Sequence, residues 1–194
     1  MAQAPEFKYA PMFQVGEDTT EYYHLTSEHV SLGNFEGKEI LKVTPEALTM
    51  LIERAFTDVN FMLRRSHNEC VAKILKDPEA SDNDKYVALT MLRNAEISAK
   101  GILPICQDTG LTVVFMEIGQ EVHFVGGDLY EAVNVGIADG YVGGYLRKSS
   151  VDDPLFVRKN TGDNTPAIIH TTIVPGEQVK ITVSPKGCGS ENMG

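Results

Sequence analysis

A chain of 194 residues with 42% hydrophobic and 23% charged side chains has a globular composition and enough length for one good core or two small lobes. Its 27 acidic against 17 basic side chains leave a net charge of −10, which argues against nucleic acid or an anionic membrane as a main partner, because both would repel it. Three widely spaced cysteines, Cys70, Cys106 and Cys188, make no disulfide framework, and no apolar run resembles a signal peptide or a spanning helix, so the expected setting is reducing and cytoplasmic.

In chain order, residues 1–43 mix aromatic and β-branched residues with the turn-like "GNFEGKE" and predict extended arms or short strands. From residue 44 helical spacing takes over. Thr44 can cap a helix that has Pro45 in its first position and a stripe of Leu48, Leu51, Ile52, Phe56 and Val59. A second helix is predicted from "SHNE", where Ser66 and Glu69 have capping-box spacing, through Val71, Ile74 and Leu75. A third, from about Asp82 to Lys100, is expected to bury Val87, Met91, Leu92 and Ala95, with Gly101 ending it. The segment "PICQDTG" follows directly.

"LTVVFMEIGQEVHFV" then reads as a strand hairpin. "DLYEAVNVGIADGYVGGYLR" has helical spacing but is weakened by Gly136, Gly140, Gly143 and Gly144, for which close packing against a neighbour would compensate. "KSSVDDPLFVRKNTGDNTP" has the composition of a surface loop, and "AIIHTTIVPGEQVKITVS" predicts a second hairpin around Pro175 and Gly176. The fold class expected is α+β, a helical front half packed on mixed or antiparallel sheets with hairpins in the back half. The expected division is an arm with short strands over 1–43 and one domain over 44–194.

Two segments carry candidate chemistry. Cys106 sits at a helix-to-strand connection beside Gln107, Asp108 and Thr109, which offer donors and acceptors, although a lone cysteine there is equally readable as a buried structural thiol. "KGCGSENM" places small residues after Lys186, where backbone amides can approach an anion, or simply forms the turn that leaves a strand. It is not a phosphate-binding loop of the G-x-x-x-x-G-K-[ST] type, and no C-x-x-C, H-E-x-x-H or G-x-S-x-G occurs. His24 and His29 are too loosely spaced for a zinc pair, and His67, His123 and His170 read as surface or packing residues. Arg147, at the end of the glycine-rich helix, can clamp a carboxylate or serve only as a helix-terminal cation.

Taken together, "EYYHLTSEHVS", "FEGKEILKV", "DPEASDNDKYVAL", "AKGILPICQDTG", "NTGDNTPA" and "KGCGSEN", in this order, resemble the N-terminal domain of class I fumarate hydratase, the iron–sulfur fumarase. The resemblance runs from about Tyr22 to Met193 and is closer to the single-chain bacterial and protozoan form than to the two-subunit form or to tartrate dehydratase. It implies a hydro-lyase of the tricarboxylic acid cycle that hydrates fumarate reversibly to (S)-malate. The implied cofactor is a [4Fe–4S] cluster on three cysteines, one iron staying open as a Lewis acid. Cys106 matches one ligand. The other two, each followed by proline in the family, have no counterpart here, so the 194 residues alone are expected to be inactive. Asp108 matches a proton-handling residue, and Gln107, Asp108, Arg147, Gly189 and Asn192 match the substrate surface. Cys188 stands where the family usually has glycine and is not read as a cluster ligand. The implied partner is a small dicarboxylate, and the complete enzyme is expected to be a homodimer. A mesaconate or tartrate hydratase, or a non-catalytic remnant that kept the fold, are the alternatives.

Overall fold

The computed structural model describes residues 21–187 and Gly189. The short strands expected here are β1 (Val30–Phe35) and β2 (Lys38–Val43), which pair antiparallel across the turn-like "GNFEGKE". Their turn is Glu36 and Gly37, both at positive φ, and the Gly37 amide donates to Asn34 Oδ1 at 2.9 Å. Helix α1 (Pro45–Phe61) starts with proline as predicted, and Leu48, Ile52 and Phe56, one turn apart, form its buried stripe. Thr44 holds the N-cap position but accepts nothing from the backbone there; its hydroxyl instead donates to Glu46.

The second and third helices differ from expectation in how they begin and what they bury. Helix α2 (Arg65–Ile74) starts one residue early, so Ser66 lies inside it, Arg64 holds the N-cap position without a side-chain cap, and Glu69 pairs with Arg65 at 2.8 Å. The capping box forms one helix later: Ser81 and Asp84 satisfy each other's backbone amides at the start of α3 (Asp82–Ser98). Within α3, Val87 and Met91 are about half exposed, and burial falls on Ala88, Ala95 and Ser98. Helix α3 packs on α2, and at its far end the Ser98 hydroxyl donates to the carbonyl of Phe61, the last residue of α1, at 2.8 Å.

The two predicted back-half hairpins are replaced by a three-stranded sheet in the order β7-β3-β8. Strand β3 (Leu111–Gly119) lies between β7 (Ile168–Val174), which runs parallel to it, and β8 (Val179–Lys186), which runs antiparallel. So β7 and β8 do not pair across Pro175 and Gly176; that loop straddles the end of β3, with Gly119 N donating to Gln178 O and Glu121 N to Gly176 O. Nor does β3 pair with β4 (Val122–Phe124), which leaves the sheet to lie parallel to β2. The physical reason is visible in β3 itself: nine residues with Val113, Val114, Met116 and Ile118 all buried make a central strand, and a central strand needs a partner on each edge.

One face of this sheet, through Val114, Met116 and Ile118, joins α1 and helix α4 (Leu129–Gly143) in a single core. On the other face Phe115 stacks on His170, ring centroids 5.1 Å apart. Asp128 caps α4 by accepting the Glu131 amide at 2.8 Å, and Val133, Ile137 and Tyr141 are fully buried along its inner side. Gly136 and Gly140 supply the close packing that their composition asked for. A β-carbon on Gly136 would stand 2.5 Å from the Thr49 carbonyl oxygen and 3.0 Å from the Ile52 side chain. Gly136→Ala is therefore expected to destabilise by about 1–3 kcal/mol, as overpacking does, although alanine is the better helix former. Gly143→Ala, where a β-carbon meets nothing within 4 Å, is expected to change stability in the opposite direction. Paired thermal melts measure both signs.

The supposed surface loop after α4 carries two short strands, β5 (Val151–Asp152) and β6 (Lys159–Asn160), and is buried at both ends, at Ser150 and Asn164. No helix among the described residues is long and apolar enough to cross a membrane.

Candidate active site

The segment "PICQDTG" is held at its start by two asparagines from different helices. The Ile105 amide donates to the Asn60 carbonyl of α1 at 2.8 Å, and the Ile105 carbonyl accepts from Asn94 Nδ2 of α3 at 2.7 Å. Asn60 is itself buried, its side chain donating to Phe56 O at 2.8 Å. With Ile105 fixed on both sides, the next residue, Cys106, stands out into solvent as an exposed free thiol, and Gln107 is exposed beside it. Cys106 is thus not a buried core thiol among the described residues.

After this tip the chain turns inward. Asp108 is half-buried and its Oδ1 accepts the Gly110 amide at 3.1 Å, closing an Asx turn. Thr109 is buried, and its hydroxyl donates to the Arg147 carbonyl at 2.8 Å. The Thr109 carbonyl accepts from the Tyr141 hydroxyl at 2.9 Å. Burial pushes that phenol up to about 12; the nearby Asp108 charge adds to this, while hydrogen bonds with Asn60 and Asn164 oppose it, so Tyr141 stays a neutral donor at neutral pH.

Gly110 brings the second candidate segment to the first. It lies at φ +66°, and a β-carbon there would stand 2.1 Å from the Lys186 carbonyl carbon and 2.5 Å from the Gly187 nitrogen. Along the ladder Leu111 pairs with Lys186, so the end of β8 delivers Lys186 and Gly187, the first two residues of "KGCG", against "QDTG". A β-carbon on Gly187 would in turn lie 3.1 Å from Asp108 Oδ2. The carboxylate of one motif thus rests over the backbone of the other. Gly189 is exposed, and a β-carbon there would meet no described residue within 4 Å, whereas Cys188 and Asn192 lie outside the described residues.

Arg147 is exposed and follows the buried Leu146. Its carbonyl is tied to Thr109, and two residues on, the amides of Ser149 and Ser150 both donate to Asn164 Oδ1, at 2.6 and 3.0 Å. Asn164 is fully buried, sits at φ 67°, and also donates from Nδ2 to the Gly110 carbonyl at 3.0 Å. It therefore links the turn after Asp108 to the segment after Arg147. Asn60, Asn94, Tyr141 and Asn164 were not singled out from sequence. Only Asn164 had a local signal there, its place in the turn-like "GDNTP", after Asp163 and two residues before Pro166.

The arrangement offers an outward thiol, a carboxylate on glycine backbone, and a guanidinium on a segment tied to the same turn. Among the described residues no three His, Cys, Asp or Glu side chains gather to hold a metal ion. Cys106 fits a metal group as one thiolate donor, and these residues do not complete its ligand set.

The family described as fumarate hydratase (fumerase) matches residues 49–194. The chain belongs to the class I fumarate hydratase family. The aerobic class I fumarate hydratase of Escherichia coli strain K12 is 52% identical over 188 residues, covering 96% of this chain and 34% of that protein. Fumarate hydratase 2 of Leishmania major is 39% identical over 197 residues, again covering 96% of the chain and 34% of the relative. The alpha subunit of L(+)-tartrate dehydratase from Escherichia coli strain UTI89 is 27% identical over 148 residues, 74% of the chain and 48% of the subunit. The chain thus spans about a third of the length of the fumarate hydratases it matches.

Proposed function

We propose that these residues form the part of a class I fumarate hydratase that presents one cluster thiolate and half of the substrate surface, the complete enzyme hydrating fumarate reversibly to (S)-malate. The observation that carries the reading is the meeting of "CQDTG" and "KGCG" at Gly110 and Gly187, with the Asp108 carboxylate between them. The ordering of the relatives, fumarate hydratases at 52% and 39% and a tartrate dehydratase subunit at 27%, supports fumarate over related diacids.

In this reading the Arg147 guanidinium binds one substrate carboxylate through paired hydrogen bonds. The Gln107 amide, the backbone at Gly189 and the Asn192 side chain meet the rest of the dicarboxylate. Asp108 moves the proton: its carboxylate accepts one from the water that adds to the double bond and returns it to the departing hydroxyl in the reverse direction. Cys106 supplies one of three thiolates to a [4Fe–4S] cluster. The chemistry such a cluster contributes when bound is that of a Lewis acid at its open iron. With a single thiolate here, turnover belongs to the complete enzyme, taken to be a cytoplasmic homodimer, with 44–194 as the cluster-presenting domain and 1–43 as its arm.

The test is hydration of fumarate, mesaconate and tartrate-derived substrates by the complete enzyme, with Asp108→Asn alongside. Fumarate is expected to be preferred, and Asp108→Asn is expected to lower kcat by roughly 10²–10⁴-fold, the usual contribution of a positioned acid–base group. An undiminished kcat removes Asp108 from the proton transfer, and preference for another diacid overturns the substrate assignment.

A further inference from the structure

We infer that Thr109 is a positioning residue that sets where Arg147 meets the substrate, an inference that rests on Arg147 being the carboxylate-binding cation. Arg147 is exposed and lies beyond the end of α4, so helical hydrogen bonding does not fix it. What fixes it is the buried Thr109 hydroxyl, donating to the Arg147 carbonyl at 2.8 Å from the residue next to Asp108. Asn164 takes up the chain again at Ser149 and Ser150, so Arg147 is the exposed point of a segment pinned on both sides. Tyr141 completes the support from below by donating to the Thr109 carbonyl at 2.9 Å. The Thr109 hydroxyl therefore joins the segment of the proton-transferring carboxylate directly to the backbone of the substrate-binding cation, beside the link that Asn164 makes between Gly110 and the two serines after Arg147.

Removing that hydroxyl frees the Arg147 segment without altering Asp108. Weaker carboxylate binding affects ground and transition states alike, so it raises KM and leaves kcat nearly unchanged. The matched control is Thr49, whose hydroxyl makes a bond of the same kind, to the Ala132 carbonyl at 3.0 Å, between α1 and α4. Thr109→Val and Thr49→Val each exchange a hydroxyl for a methyl and remove one such bond.

In the complete enzyme Thr109→Val is expected to raise KM for fumarate about tenfold, the size of one net hydrogen bond, with kcat within about twofold. Thr109→Ser, which keeps the donor, is expected to restore KM, and Thr49→Val to leave it unchanged. Amide exchange over residues 147–150 is expected to quicken in Thr109→Val and not in Thr49→Val. Equal KM values for the two valine variants, or a fall in kcat at constant KM, overturn the assignment. Should the parent enzyme fail to hydrate fumarate, the functional reading falls by itself; unchanged exchange over 147–150 in Thr109→Val then overturns the positioning role.

Discussion

Gly110→Ala is expected to lower the melting temperature by roughly 5–15 °C, the largest stability effect among the site's substitutions. Two costs combine. A non-glycine residue at φ +66° adopts the left-handed region, at about 1–2 kcal/mol, and its β-carbon would stand 2.1 Å from the Lys186 carbonyl carbon, where backbone has to move apart. Gly101→Ala separates the two, since Gly101 lies at φ +74° with nothing within 4 Å of a β-carbon. That variant should show the conformational cost alone. If Gly110→Ala melts no lower than Gly101→Ala, the close approach of the two motifs is wrong, and with it the placing of Asp108 over Gly187.

That approach also shows what a sequence reading reaches and where it stops. "CQDTG" and "KGCG" stand out as candidates because the first sets polar side chains around a cysteine and the second lets backbone amides approach an anion, although each also has an ordinary structural reading. Their meeting does not, because it depends on β3 pairing with β8 along the register that sets Leu111 opposite Lys186. The turn residues near Gly119 and Gly176 suggested two hairpins, and turn chemistry says only that the chain reverses, not which strand slips between the arms. Helix α1 was legible at its first residue, Pro45, and in Leu48, Ile52 and Phe56 of its stripe, whereas Leu51 of the expected stripe is exposed and Thr44 does not cap. In α3 the same periodicity was only partly right: Ala95 is buried as expected, but Val87 and Met91 are about half exposed, and burial falls also on Ala88 and Ser98. The anchors of the site were least visible of all. Asn60 and Asn94 sit inside helices as ordinary polar residues, and only the fold shows that both reach the backbone of Ile105.

Those anchors bear on the second large effect. Cys106→Ser is expected to abolish cluster retention and fumarate hydration in the complete enzyme, while its melting temperature before cluster loading stays within about 2 °C of the parent, as for other exposed substitutions away from the core. The two halves of this expectation have separate causes. Ile105 is held by Asn60 and Asn94, and Thr109 by Arg147 and Tyr141, so the shape of the loop does not depend on the exposed thiol between them. Serine keeps nearly the same size but replaces a sulfur ligand with a hydroxyl that ligates iron poorly. Bound iron per chain after anaerobic reconstitution reads the first half, and a thermal melt of the unloaded protein reads the second. Parent-level iron in Cys106→Ser removes Cys106 from the ligand set. A large fall in the melting temperature would instead return Cys106 to the structural role that its exposure argues against.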